Sequence, residues 1–227
     1  MSSLYTRLKI TLGKANADEN ALAALRSDYK ATVTQDKEII FNHGSHYSST
    51  GVILYPGGRC DPRAYAPVMC QLANIGFQVI IPHMPLRLAV LDPNRIGAIM
   101  QQHPDIDKWV IGGHSMGGAM AAAYACKNPN TVKGLYFMAS YPSSMHAMPD
   151  SELPMLMLYG THDFITRKSE FEASYERLPK HTKFIAIEGG DHYQFGSFSN
   201  VKVTATISRE EQQRQTAQAM IQFLSRI

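Results

Sequence analysis

The chain has 227 residues, 44% of them hydrophobic, which is enough to bury one sizeable core and demands no second one. Its 22 basic and 19 acidic residues leave a formal charge of +3, far from the basic stripe that nucleic acid selects, so no nucleic-acid partner is expected. Cys60, Cys70 and Cys126 are odd in number and widely spaced; they suggest neither a disulfide framework nor a zinc site, and read as free thiols in a reducing compartment.

Met1 to Asn20 is interrupted by Arg7, Lys9, Lys14, Asp18 and Glu19, so it does not read as a secretory signal. No stretch approaches the roughly 18 apolar residues of a membrane span. The expected setting is cytoplasmic, with residues 1–20 as an N-terminal extension and 21–227 as a single domain.

In chain order, Ala21 to Tyr29 predicts a short helix, and Ala31 to Thr34 with Glu38 to Asn42 predicts a hairpin around Gln35-Asp36-Lys37. Gly51 to Tyr55 is a continuous apolar run of the kind buried on both faces of a sheet, and Pro56-Gly57-Gly58-Arg59 follows it. Asp61-Pro62 supplies a helix start, with Tyr65, Val68, Met69, Leu72 and Ile75 at helical spacing and Gly76 at the end. Phe77 to Pro82 is the next strand. Asp92-Pro93 repeats the cap signature before a helix from Asn94 to Gln102.

The apolar run Trp109-Val110-Ile111 ends in Gly113-His114-Ser115-Met116-Gly117, and a small-residue segment rich in alanine follows at once. Strand, sharp turn and helix is the reading, with Ser115 at the apex. A serine hydroxyl is a weak nucleophile, and a strained turn holds its oxygen clear of the backbone, where a base can reach it. Gly113 and Gly117 leave room for the helix to pass close to the strand.

Gly134 to Ala139 and Met155 to Tyr159 are further strands, the second ending at Gly160-Thr161-His162-Asp163. A helix from Ser169 to Leu178 leads to a last strand, Lys183 to Glu188, which ends at Gly189-Gly190-Asp191-His192. Ser208 with Glu211 forms a capping box for a final helix running toward Arg226. Alternating strands and helices predict an α/β fold with a mostly parallel sheet covered on both faces, and an antiparallel hairpin at its start. In such sheets functional groups gather beyond the carboxyl ends of the strands, and the stretches at 56–59, 113–117, 160–163 and 189–192 all fall there.

A serine nucleophile needs a base, and the base needs an acid that fixes its tautomer. Of the nine histidines, His192 lies where a loop returns it over Ser115, while His103, His146 and His181 read as solvated loop residues. His114 is expected to point away, since only the apex residue presents its side chain to the site. Asp163 leads as the acid because it directly follows a strand; Asp191 competes, but it would have to fold back on its own neighbour.

These residues resemble the alpha/beta-hydrolase superfamily, whose order of nucleophile, acid and histidine is that of Ser115, Asp163 and His192. The likeness is greatest to small lidless members related to dienelactone hydrolase. It rests on the Pro-Gly-Gly turn, the Asp-Pro-x-Ala-Tyr helix start, the Gly-Gly-His-Ser-Met-Gly-Gly-Ala elbow and the Gly-Gly-x-His-x-Gln-Phe-Gly run. It implies a sheet of about eight strands without a full cap, and a serine esterase acting on a small-molecule carboxylic ester, thioester or lactone with no metal or organic cofactor.

The resemblance also assigns the oxyanion hole to the N–H groups of Met116 and Gly58. Pro56 stands where the family commonly has histidine, which leaves the second donor open between Gly58 and Arg59. Ser115 stands where dienelactone hydrolase has cysteine, which favours an ordinary serine esterase. Acyl transfer to an alcohol or amine, and a non-catalytic binding role, are the alternatives. Only Ser140 to Pro154 separates two strands where many members insert a cap. Tyr141, Met145, Met148, Tyr193 and Phe195 are candidates to line an open pocket, and Arg59, Arg63 and Arg87 raise the prospect of an anionic substrate. The sheet edge and the C-terminal helix are the candidate surfaces for a homodimer.

Overall fold

The computed structural model describes residues 14–26, 31–43 and 48–227. Eight strands, β1 (Ala31–Gln35), β2 (Glu38–His43), β3 (Thr50–Tyr55), β4 (Gln78–Pro82), β5 (Lys108–His114), β6 (Gly134–Met138), β7 (Met155–Gly160) and β8 (Lys183–Ile187), form one sheet in the order β1-β2-β4-β3-β5-β6-β7-β8. β1 and β2 pair antiparallel with each other, and β2 pairs antiparallel with β4; every other pairing is parallel.

Helices α1 (Glu19–Ala23), α2 (Ala66–Ala73), α3 (Arg95–Gln102), α4 (Met116–Lys127), α5 (Lys168–Ala173) and α6 (Arg209–Leu224) complete the described fold. β6 and β7 are joined by a loop whose only helical turn is Ser144–His146, and among the described residues no cap domain covers the sheet.

The period-two alternation of the strands divides the core into two layers. Val52, Leu54, Val110, Tyr136, Met138, Leu156 and Leu158 face one side, where α2 and α6 supply Met69, Leu72, Met220 and Phe223. Ile53, Tyr55, Trp109, Ile111, Leu135, Phe137 and Met157 face the other, against Ile96 and Ile99 of α3 and Ala121, Ala122 and Ala125 of α4. Strands apolar on both faces must be central, and β3, β5 and β6 are. The edge strand β8 instead alternates half-buried and exposed residues until Ile187.

Local signals explain most element ends and mislead at a few. Asp18 Oδ1 accepts the Ala21 N–H at 3.0 Å, so α1 begins at Glu19, two residues before the expected start. The end of that expected helix, 27–29, lies outside the described residues. Asp61 does cap, accepting the Arg63 N–H at 3.1 Å, but the turn it opens (Pro62–Tyr65) is a 3-10 turn ahead of α2.

Asp92 does not repeat this. The cap position of α3 is Asn94, without a side-chain bond, and Asp92 instead offers its backbone carbonyl to Arg95. At α6 only half of the capping box forms. Ser208 Oγ accepts the Glu211 N–H at 3.1 Å, but the Glu211 carboxylate turns to Arg214 and Gln215. The helix expected from Ser169 to Leu178 divides into α5 and a 3-10 turn, Tyr175–Arg177.

Candidate active site

From β3 the chain crosses by α2 to β4 on one side, and from β4 it crosses by α3 back past β3 to β5 on the other. Such a reversal opens a crevice at the carboxyl ends of the two strands where it occurs. Tyr55 pairs with Gly113 in register, so the turn that follows β3 lies beside the turn that carries Ser115.

Ser115 has φ 52° and ψ −121°, a conformation costly for a residue with a Cβ. Surrounding contacts hold it there. Its N–H donates to the Met138 carbonyl at 2.9 Å, and Ser140 Oγ donates to its carbonyl at 2.5 Å. The close approach that the elbow requires is visible at both flanking glycines. A Cβ on Gly113 would lie 2.4 Å from the Tyr55 carbonyl oxygen, and one on Gly117 would lie 2.0 Å from the same atom. Met116 opens α4, so its N–H lacks an intrahelical partner and points out of the helix end.

His192 follows β8 with its side chain 5% exposed, and its Nδ1 lies 2.8 Å from Asp163 Oδ2. Because a carboxylate only accepts, Nδ1 carries the proton and Nε2 is left as the basic nitrogen. Asp163 is saturated: Oδ1 accepts the N–H groups of Ile165 and Thr166, and Oδ2 accepts Thr166 Oγ1 as well as His192, each at 2.8 Å. Burial alone would raise this carboxyl. The facing His192 and these hydrogen bonds outweigh burial and lower it to about 2.

Asp191, the rival acid, faces away from the imidazole. Fully buried, it accepts the N–H groups of Tyr193 and Gln194 on Oδ1 at 2.9 Å and that of Thr204 on Oδ2 at 2.7 Å. The Gln212 amide of α6 grips its peptide from both sides, accepting the Asp191 N–H and donating to its carbonyl. Asp191 thus shapes the histidine loop. That loop is also joined to the one after β7, where His162 N–H meets the Gly190 carbonyl at 2.8 Å and Gly189 N–H meets Thr161 Oγ1 at 2.9 Å.

Ser115 Oγ makes no hydrogen bond to His192 here. In free enzymes that contact is often long and tightens once substrate is bound.

In the turn after β3, one of the two candidate backbone donors, Arg59, is already engaged, and so is the neighbouring Gly57. Gly57 N–H donates to Tyr65 Oη at 2.9 Å, and Arg59, at φ 62°, donates its N–H to the Arg87 carbonyl at 2.7 Å. Gly58 N–H has no such bond among the described residues. A Cβ built on Gly58 would fall 3.1 Å from the Met116 methyl group, so the two residues abut.

The segment Lys14–Asp18, placed by the sequence in an N-terminal extension, crosses this region. Ala15 exchanges backbone bonds with Arg59 and Asp61, Asp18 N–H meets the Ser197 carbonyl, and Asp18 pairs with Arg209.

Arg63 and Arg87 both engage Asp61, with closest approaches of 2.8 and 3.3 Å, so their charge secures the turn. Tyr193 and Phe195 are buried, with Tyr193 edge-on to His192 and Phe198. Tyr141 and Met148 are half-buried, and Met145 is 83% exposed. Burial pushes the Cys60 thiol up to about 12, which keeps it protonated. The holding roles of Ser140, Gln212, Tyr65 and His114 escape a reading by motif, because their partners are distant in sequence, whereas Thr166 secures Asp163 from three residues away.

A family model described as alpha/beta hydrolase matches residues 51–214. The chain belongs to the alpha/beta hydrolase family. Its fold is shared with a thermophilic esterase from the Planctomycetes species Thermogutta terrifontis (TM-score 0.63, 16% identity, 86% of this chain and 91% of that one). Dienelactone hydrolase from Anabaena variabilis is similar too (0.62, 14%, 85% and 98%). So is MGS-MChE2, an alpha/beta hydrolase from a sediment metagenome of the Mar Chica lagoon (0.64, 14%, 86% and 98%). A search of curated proteins finds no significant match. Among the described residues no helix is long and apolar enough to cross a membrane.

Proposed function

We propose that this alpha/beta hydrolase is a serine esterase that cleaves small carboxylic esters through an acyl-enzyme on Ser115. The observation that carries the reading is the 2.8 Å His192–Asp163 bond at strand ends that share one sheet edge with the strained Ser115 elbow.

In the proposed reaction His192 Nε2 takes the Ser115 hydroxyl proton as Oγ attacks the ester carbonyl. The imidazolium formed is stabilised by Asp163, which stays ionised. The carbonyl electron pair moves onto oxygen, and the N–H groups of Met116 and Gly58 hold that oxyanion. Gly58 is favoured over its neighbours because Gly57 and Arg59 already direct their N–H groups elsewhere. Collapse expels the alcohol, which takes the proton from His192. Water activated by the same nitrogen then releases the acid and restores the serine. Attack, proton transfer and charge stabilisation are all supplied by these groups, so the mechanism calls for no metal or cofactor.

The short uncapped loop between β6 and β7 favours an open site with tolerance for varied esters, thioesters or lactones. The experiment is hydrolysis of p-nitrophenyl esters of graded acyl length by the wild type, Ser115→Ala and His192→Ala. The expected result is wild-type turnover that both substitutions reduce by at least about a thousandfold. A folded wild type inactive on every ester, or a Ser115→Ala variant as active as wild type, overturns the reading. Products formed in the presence of a competing alcohol separate hydrolysis from acyl transfer.

A further inference from the structure

We propose that His114 and Tyr65 are positioning residues for this reaction, forming a buried chain of hydrogen bonds that ties the turn bearing Gly58 to the loop bearing His192. The proposal rests on the esterase reading for its kinetics, but its geometry stands apart from it.

His114 ends β5 and is 1% exposed, one residue before the elbow apex; Tyr65 precedes α2 and is fully buried. Gly57 N–H lies 2.9 Å from Tyr65 Oη, Tyr65 Oη lies 2.9 Å from His114 Nδ1, and His114 Nε2 lies 2.9 Å from the His192 carbonyl.

Proton placement along this chain follows from the chemistry of its ends. A carbonyl only accepts, so His114 Nε2 must carry hydrogen. A neutral ring then offers a lone pair at Nδ1, so the Tyr65 hydroxyl donates to it. Gly57 N–H only donates, and Tyr65 Oη accepts it. Every polar atom in the chain is satisfied once, and with a neutral ring no other arrangement does this. Protonation of His114 would break the direction of the chain, and burial together with the neighbouring His192 holds its pKa down to about 3. Burial likewise keeps the Tyr65 phenol protonated, as a donor.

The packing has the same sense. The His114 ring lies 4.8 Å from the His192 ring between centroids and 5.7 Å from that of Tyr65, with Phe195 at 6.1 Å. Asp163 fixes the rotation of the His192 imidazole through Nδ1, while His114 fixes the backbone from which it hangs. At the far end, Gly57 is held so that the next peptide, that of Gly58, keeps its N–H unengaged beside Met116. A Cβ on Gly57 would sit 2.6 Å from His114 Nδ1, which shows how closely the turn rests on the pair. Neither residue is placed to touch substrate. They act through the groups they hold, where a misplacement of about 1 Å can cost about a hundredfold in rate.

The test uses Tyr65→Phe, His114→Phe and His114→Gln in the full chain. A glutamine amide presents an N–H and a carbonyl oxygen about as far apart as the two ring nitrogens, so it can rebuild the chain. Tyr65→Phe and His114→Phe are expected to lower kcat about tenfold or more on a short p-nitrophenyl ester with KM within about twofold. His114→Gln is expected to stay within a few fold of wild type, and the Tyr65→Phe/His114→Phe double variant is expected to be no worse than His114→Phe. Folded Tyr65→Phe with kcat within twofold of wild type overturns the proposal, as does His114→Gln that is as impaired as His114→Phe. If His114→Phe does not fold, Tyr65→Phe, which removes one oxygen and keeps the ring, still decides.

A second measurement does not depend on ester turnover. Nitrogen-15 NMR of histidine-labelled protein is expected to show His114 as the neutral Nε2–H tautomer throughout pH 5–8, with its ring signals altered in Tyr65→Phe. An Nδ1–H tautomer, or titration near the ordinary histidine value, overturns the chain even if the wild type hydrolyses esters. The expected tautomer in a protein inactive on esters would retain the chain and remove the esterase reading.

Discussion

Acid stability offers a sharp test of the buried histidine. His114 is held at about 3 in the folded protein, against about 6.5 in an unfolded chain. The shift is a depression of a base: between those values the unfolded state takes up a proton that the native state refuses. The neutral site therefore keeps its full stability above about pH 6.5 and loses about 1.4 kcal/mol for each pH unit below it, until about pH 3. Between pH 7.5 and 4.5 the loss from this one residue is about 2.7 kcal/mol.

Asp163 adds little in that window, because its folded value of about 2 and its unfolded value both lie below pH 4.5. His83, whose pKa is lowered chiefly by burial, contributes in the same direction but is common to both proteins compared. Urea unfolding of wild type and His114→Gln at pH 7.5 and 4.5 isolates the difference. Wild type is expected to lose about 2.7 kcal/mol more than His114→Gln on acidification. Equal losses in the two proteins would refute the argument that a neutral, buried His114 is what acid attacks.

The two aspartates beside the histidine separate by readout. Asp163→Asn is expected to lower kcat by about a thousandfold to ten-thousandfold through loss of the tautomer-fixing acceptor, measured by ester hydrolysis. Asp191→Asn is expected to lower stability by about 2 kcal/mol in urea, because the amide sets an N–H against that of Thr204, while depressing kcat far less. Ala15→Pro removes the N–H that meets the Arg59 carbonyl, and a loss of about 1–3 kcal/mol together with reduced kcat is expected if this segment braces the turn.

The inner part of the sheet was readable because its strands are apolar on both faces, so Gly51–Tyr55 and Met155–Tyr159 announce themselves by composition. The elbow was readable because a strained turn between strand and helix demands glycine on both sides, and Gly113 and Gly117 each meet the Tyr55 carbonyl. Their placement at strand ends likewise put Asp163 and His192 on one edge.

What escaped depends on contacts with no local signature. Asp61-Pro62 and Asp92-Pro93 are the same dipeptide, yet only Asp61 caps with its side chain, since Arg63 and Arg87 converge on it from different elements. His114 sits one residue before Ser115, and its ring packs 4.8 Å from that of His192. Its role comes from Tyr65 and His192, which lie 49 and 78 residues away. Lys14–Asp18 gave no periodicity to read, because, apart from the Asp18 side chain, it is tied by backbone bonds to Arg59, Asp61 and Ser197.

The proposed mechanism requires Ser115 to be an activated nucleophile. Intact-mass spectrometry after brief exposure to a fluorophosphonate tests it most directly, since the reagent reacts with a serine only where a base and an oxyanion hole assist. One adduct per chain is expected, located on Ser115 by peptide mapping, and none in Ser115→Ala or after denaturation. A folded wild type that stays unlabelled, or a label retained in Ser115→Ala, would contradict it.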